Sequence, residues 1–307
     1  MVPGKGCGIC RYFLPMKILA LLFCFFMQTV SAQKLDSVAV RVNRIGGNLF
    51  FLDCINGFGG GNVTVSVGEE GILLADDMYA EMSPKLIAAL RTLSDQPVRM
   101  VLNSHFHWDH IEGNRNFQRS AIIIAHKNVR RMLIRTDKPG RPTSGMLPAV
   151  TFADSLTINF NGEEIRMLHF PNCHTDGDAV IYFTGSKVLH MGDMFFFEMF
   201  PAVYAEGGGN IKQLIAALDK ILKEIPADAH VVPGHGNLAT MKDLAAYQAM
   251  LKETVGIVEK GIWEGKTLED MKSEKVLAKY DALGAGGAQT TEQYLTMLYK
   301  LLSAGQH

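Results

Sequence analysis

The sequence predicts a mixed α/β fold in which two sheets are covered by helices. Three observations carry this. Short β-rich runs cluster in the first quarter of the mature chain and again between residues 165 and 190. Amphipathic helical segments lie between and after these clusters without the regular alternation of a parallel barrel. No solenoid-period repeat, Pro/Ser linker or low-complexity tract divides the chain, so its 307 residues suit a single domain with a sizeable core.

Taken in order, Val38 to Val42, Asn48 to Leu52, Asn62 to Val67 and Gly71 to Ala75 read as strands, separated by turn material at Gly46-Gly47, Asn56 to Gly61 and Gly68 to Glu70. A helix follows, with Ser83 expected as its cap, Pro84 at its first position, and Leu86, Ile87, Leu90 and Leu93 at helical spacing. Val98 to Leu102 is a buried strand and Lys127 to Ile134 a helix. Ile165 to Phe170, Ala179 to Phe183 and Lys187 to His190 are strands. A strongly amphipathic helix runs from Asn210 to about Ile225, with Ile211, Leu214, Ile215, Leu218, Ile221 and Leu222 on one face. His230 to Pro233 is a strand, and residues 240–307 form a helical C-terminal portion, either a cap or an outer layer.

Residues 1–32 read as a secretory leader. Lys17 precedes an apolar run of about a dozen residues, and Val30-Ser31-Ala32 supplies small residues before Gln33. The run is shorter than the ~20 residues that span a bilayer, and polar Gln28 and Thr29 follow it, so a cleaved leader is favoured over an anchor. Residues 33–307 are then an exported domain without a stable membrane anchor, periplasmic in a Gram-negative source. The leader carries Lys5, Arg11 and Lys17 and no acid, so the 30 basic residues of the chain fall to 27 against 31 acids once it is removed. That balance offers no basic excess for a phosphate backbone, and nucleic acid is not an expected partner. Cys7, Cys10 and Cys24 leave with the leader, so the two remaining cysteines exclude a thiolate metal cluster.

Chemistry concentrates where strands end. After Leu102 comes Asn103-Ser104-His105-Phe106-His107-Trp108-Asp109-His110, three histidines and an aspartate within six residues. In extended backbone His105 and His107 project to the same side, whereas Asp109 and His110 lie beyond and turn to a second position. Two metal ions are the natural reading. Three further strand ends supply His174 in Pro171-Asn172-Cys173-His174-Thr175-Asp176-Gly177-Asp178, Asp193 after His190-Met191-Gly192, and His235 between Gly234 and Gly236. Imidazole and carboxylate donors suit zinc, with iron or manganese as alternatives. His190 is expected to pack against the sheet. Asp176 and Asp178 are either partners that orient ligands or turn residues. Gly-x-Ser-x-Gly, a Walker loop and a dinucleotide fingerprint are all absent.

His105-x-His107-x-Asp109-His110, followed in order by His174, Asp193 and His235, resembles the metallo-β-lactamase fold superfamily of metal-dependent hydrolases over roughly residues 48–238. The resemblance implies a four-layer αββα sandwich with a dinuclear site. His105, His107 and His174 would hold one ion; Asp109, His110 and His235 would hold the other; Asp193 would complete or bridge the pair. It also implies hydroxide attack on a carbonyl, with Asp109 as the catalytic carboxylate. Aspartate at residue 193, where many β-lactamases carry cysteine, resembles lactonases and glyoxalase II-like thioesterases. Phe196 stands where those lactamases place a lysine for a substrate carboxylate. The Gly-rich segment from Asp53 to Gly61, with Phe58 at its tip, resembles a substrate flap, and Asn210 resembles an asparagine beside the substrate carbonyl. The leading expectation is therefore a small-molecule hydrolase opening a cyclic amide or ester, β-lactamase-like first, lactonase or thioesterase second. A non-catalytic metal-binding module and a di-iron redox protein are the readings from other classes.

Overall fold

The computed structural model describes Met1 and residues 35–140, 142–287 and 289–303. The expected leader, its cleavage site and His307 lie outside the described residues. Residues 34–307 form one unit, built as a mixed α/β sandwich of two sheets between helices.

The first sheet runs in spatial order β1 (Ala39–Gly46), β2 (Leu49–Ile55), β3 (Val63–Gly68), β4 (Gly71–Ala75), β5 (Val98–Leu102), β6 (Ile122–His126) and β7 (Val150–Phe152). Its first four strands meander antiparallel, while β4 to β7 are parallel. Parallel pairing needs crossovers, and these are α1 (Ser83–Leu93), the short α2 (Trp108–Ile111) and α3 (Asn114–Phe117), and α4 (Lys127–Thr136). The second sheet is formed by β8 (Ser155–Phe160), β9 (Glu163–His169), β10 (Ala179–Phe183), β11 (Val188–His190), β12 (His230–Val232) and β13 (Ala239–Thr240), neighbours in that order. Helix α5 (Ile211–Glu224) links β11 to its parallel neighbour β12, and α6 (Met241–Trp263), α7 (Leu268–Ser273), α8 (Asp281–Gly284) and α9 (Thr291–Ser303) follow.

The layers follow from side-chain alternation. In β4, Leu73 and Ala75 face the opposite sheet, where they pack with Ile181, Phe183, Val188 and Val232. Its Ile72 and Leu74 face outward onto Leu86 and Leu90 of α1. β10 divides likewise: Ile181 and Phe183 point between the sheets, and Val180 and Tyr182 point to the helices. Being buried on both faces, these strands read as unbroken apolar runs. The C-terminal helices are an outer layer rather than a cap: Leu251 and Val255 of α6 and Tyr294 and Leu298 of α9 join one core with Leu214, Leu218 and Ile221 of α5.

Most expected elements are present within one to three residues. Ser83 is a correction: Met82 is the cap, Ser83 already lies in α1, and its hydroxyl accepts from Asn116 instead. Strands β6, β7, β8 and β13 were not anticipated. β8 alternates between exposed and partly buried positions and carries little apolar signal, and β7 is only three residues long.

Candidate metal centre

Strand pairing brings the chemistry to one edge. Ala75 of β4 pairs with Leu102 of β5, so Asp76 and the 103–110 segment leave the first sheet side by side. His190 of β11 pairs with Val232 of β12, so Asp193 and His235, each three residues on, emerge together from the second sheet. His174 lies in the turn between β9 and β10. Extended backbone at His107 (φ −69°, ψ 143°) precedes α2, whose first turn swings Asp109 and His110 away from His105 and His107.

All seven predicted donors meet there. One group comprises His105, His107, His174 and Asp193, and a second comprises Asp109, His110 and His235. Asp193 faces both. Its Oδ2 lies 3.3 Å from His174 Nε2 and 3.6 Å from His105 Nε2. Its Oδ1 lies 3.0 Å from His110 Nε2 and 3.3 Å from His235 Nε2. Asp109 Oδ2 is 3.3 Å from His235 Nε2 and 3.6 Å from His110 Nε2. His107 Nδ1 and His174 Nε2 stand 2.7 Å apart.

At three of the five histidines the inward nitrogen is set by what holds the other side of the ring. His110 Nδ1 is 2.7 Å from Asp76 Oδ2, His105 Nδ1 is 2.9 Å from Ser104 Oγ, and His174 Nδ1 donates to the Ala202 carbonyl at 2.5 Å. Asp76 is the residue that motif reading missed. It also accepts from the Ser104 amide (2.7 Å) and hydroxyl (2.6 Å), and His190 Nε2 lies 3.1 Å from it. His190 thereby ties β11 to Asp76 and, through Nδ1, to Thr64 of β3. The available signal was position: Asp76 directly follows β4 as Asp193 follows β11; its φ of +62° is a strained backbone held by those bonds. Asp178 accepts from the amides of His174 (2.6 Å) and Thr175 (2.8 Å), an orienting role that leaves Asp176 to the turn and to Arg131. Gly61 and Gly234 must be glycines, since a Cβ would overlap the His110 ring at one and the Asp193 carboxylate at the other. Cys54 and Cys173 are both free thiols.

The rim is aromatic. Phe58 is 46% exposed, and its ring centroid is 5.6 Å from that of His235. Buried Phe196 lies 5.3 Å from His235 and 6.0 Å from His174. Tyr204, not singled out in the sequence, is 51% exposed with its ring 5.7 Å from His107. The Asn210 side-chain oxygen caps α5 by accepting from the Lys212 and Gln213 amides.

The donor set fits cations. His105 Nε2 and Asp193 Oδ1 are buried and make no hydrogen bond, although unsatisfied buried polar atoms are rare. Burial opposes ionisation of Asp193, yet the surrounding His110, His235, His105 and His174 hold its carboxyl well below the usual range. Burial followed by neighbouring His110 keeps His105 neutral. At His235 burial is outweighed by Asp193 and Asp109, which raise it to about 9. The carboxylates demand positive charge between the imidazoles, and protons supply it where no cation does.

The profile of the family described as the metallo-beta-lactamase superfamily matches residues 57–255. A linear primary-alkylsulfatase from Pseudomonas sp. is 25% identical over 69% of this chain, which spans 50% of that protein's length. A hydroxyacylglutathione hydrolase from Gloeobacter violaceus is 28% identical over 59% of this chain and 67% of its own. Among solved structures, a metallo-beta-lactamase from Pontibacter korlensis aligns with a TM-score of 0.60 at 20% identity, covering 69% of this chain and 99% of that one.

Proposed function

Because the chain belongs to the metallo-β-lactamase superfamily, whose members are metal-dependent hydrolases, we propose that it is an exported dinuclear hydrolase that opens a cyclic amide or ester, a β-lactam ring first. The observation that carries the proposal is Asp193, with one oxygen turned to each half of the donor set. His105, His107 and His174 would hold one ion, Asp109, His110 and His235 the other, and Asp193 would lie across both. Two zinc ions, or iron or manganese in their place, would lower the pKa of a water from ~15.7 towards ~7 and polarise the scissile carbonyl.

The chain's own residues do the rest. Asp109 is the less buried of the two central acids, 16% exposed against 6% for Asp193, so it is the one that reaches the attacking water, orients it and accepts its proton. Asp76 and Ser104 keep the His110 and His105 rings aimed inward, so the donors need no reorganisation during the reaction. Phe58 shields the His235 side from solvent and offers apolar contact to the substrate.

A lactonase or thioesterase is the second reading, favoured by Phe196. The floor between the two halves is a phenyl ring rather than a cation for a substrate carboxylate. The test is one zinc-loaded sample of residues 33–307 assayed with a penicillin, a carbapenem, an acyl lactone and a glutathione thioester. Chelator-sensitive opening of the β-lactams supports the first reading. Turnover confined to lactone or thioester replaces it with the second, and no chelator-sensitive turnover of any overturns both. Export has its own check: the intact mass of protein recovered from a Gram-negative periplasm should correspond to a chain beginning at Gln33.

A further inference from the structure

Sulfur gathers against the Gly-rich segment that carries Phe58. Cys54 near the end of β2, Met78 in the loop after β4 and Met82 at the cap of α1 come from three separate stretches of chain. Cys54 Sγ lies 3.8 Å from Met78 Sδ. A Cβ built on Gly59 would fall 2.6 Å from Cys54 Sγ and 2.9 Å from Met82 Sδ, so a single point approaches both sulfurs and the chain leaves it bare. Met78 has a φ of +65°, a left-handed backbone unfavourable for a residue with a side chain. Gly60 makes room for it, since a Cβ there would stand 2.9 Å from Met78 Cα. Both thioethers are wholly buried, and Cys54 is partly exposed, which makes it the member an arriving ion meets first.

Core packing asks only for volume, which leucine supplies as well as methionine. One thiol and two thioethers supply chemistry that leucine does not: soft donors, of the kind that select monovalent copper over zinc. The spacing suits such an ion, because three sulfurs in a plane at ~2.3 Å from a metal stand about 4.0 Å from one another. Charge points the same way. A thiolate and a monovalent cation neutralise each other, whereas a divalent ion would leave a positive charge among buried apolar groups. Asp53 does not supply the difference: it lies on the opposite face of β2, where Arg41 and Asn43 hold it. Burial first, then Asp53, push the Cys54 thiol up to about 11, so it is no ready nucleophile.

We infer that Cys54, Met78 and Met82 form a binding site for a soft monovalent cation, copper(I) or its analogue silver(I), separate from the histidine and aspartate centre. Binding exchanges the Cys54 proton for the ion, the proton leaving to solvent, and involves no change of oxidation state. The site lies at the root of the segment whose Phe58 leans on His235, and it does not depend on which amide or ester the centre hydrolyses.

The experiment titrates copper(I) under anaerobic conditions, with ascorbate and a chromophoric copper(I) chelator as competitor, into protein already saturated with zinc so that the histidines are occupied. The protein should take up about one equivalent of copper(I) with its zinc retained. Cys54→Ser should weaken binding by roughly 100-fold, and Met78→Leu and Met82→Leu each by roughly tenfold, as expected when one donor is lost from a small set. The Leu variants keep the packing volume and remove only the sulfur, so their loss reads donor chemistry rather than folding. X-ray absorption at the copper edge should show a shell of sulfur neighbours alone, and silver(I) should compete for the same equivalent. No uptake by the zinc-saturated protein, nitrogen neighbours at the copper with zinc released in exchange, or an affinity unmoved in both Leu variants would each overturn the inference.

Discussion

Around the donors, nearly every orienting contact is buried and directional. Asp76 is wholly buried and holds Ser104, His110 and His190, and the His174 backbone is fixed by Asp178. The rim is built differently: Phe58 and Tyr204 are about half exposed, and ring contacts rather than hydrogen bonds place the two aromatics against the histidines. The difference teaches which residues tolerate change. A buried carboxylate that satisfies three partners has no substitute, because its loss leaves those partners unpaired. An exposed ring contributes contact area that a neighbour or water can replace.

The comparison breaks most sharply at Asp193. Asp193→Ala should take the metal content well below two equivalents and lower kcat/KM by 10³-fold or more, read by elemental analysis and steady-state kinetics; an active variant retaining two ions would end the bridging role. Asp76→Asn comes next, with metal affinity expected to fall by 10- to 100-fold in a chelator competition although no donor is removed. Unchanged affinity would mean that the histidines need no support. Phe58→Ala should raise KM about three- to tenfold with kcat nearly constant and stability within ~0.5 kcal/mol, as for an exposed position. A fall in kcat alone would move Phe58 from the rim into the chemistry.

The smallest expected effect lies behind the His174 turn. His126 and His169 stack at 3.6 Å, and His169 Nδ1 bonds the Asp178 carbonyl. Burial, with His169 beside it, pushes His126 down to about 4. A base whose folded pKa lies below its unfolded value stabilises the fold fully above ~6.5 and loses that contribution as pH falls towards 4. Relative to wild type, His126→Asn should therefore gain about 1 kcal/mol of stability between pH 6.5 and 4.5 in chemical denaturation. A constant difference across that range would place no proton at His126.

Much of the site was legible because ligand chemistry needs scarce residue types at strand ends, and His105, His107, Asp109, His110, His174, Asp193 and His235 all satisfy that. Asp76 was not, since an aspartate after an apolar strand also reads as an ordinary turn. Tyr204 was not, since a tyrosine among loop residues has no period to betray it. Asn210 carries a role that was not read from the sequence: its side-chain oxygen caps α5.

By itself the sequence determined the strand and helix alternation, the family and the identity of the seven clustered donors. These depend on local periodicity and on residue chemistry, which a chain carries whether or not it is folded. Only the tertiary structure decided that Asp193 turns one oxygen to each half, that Asp76 anchors the histidines, and that the Phe58, Phe196 and Tyr204 rings lie against the donor histidines. Those facts are distances between atoms far apart in the chain, and they exist only once two sheets pack face to face and bring their strand ends to one edge.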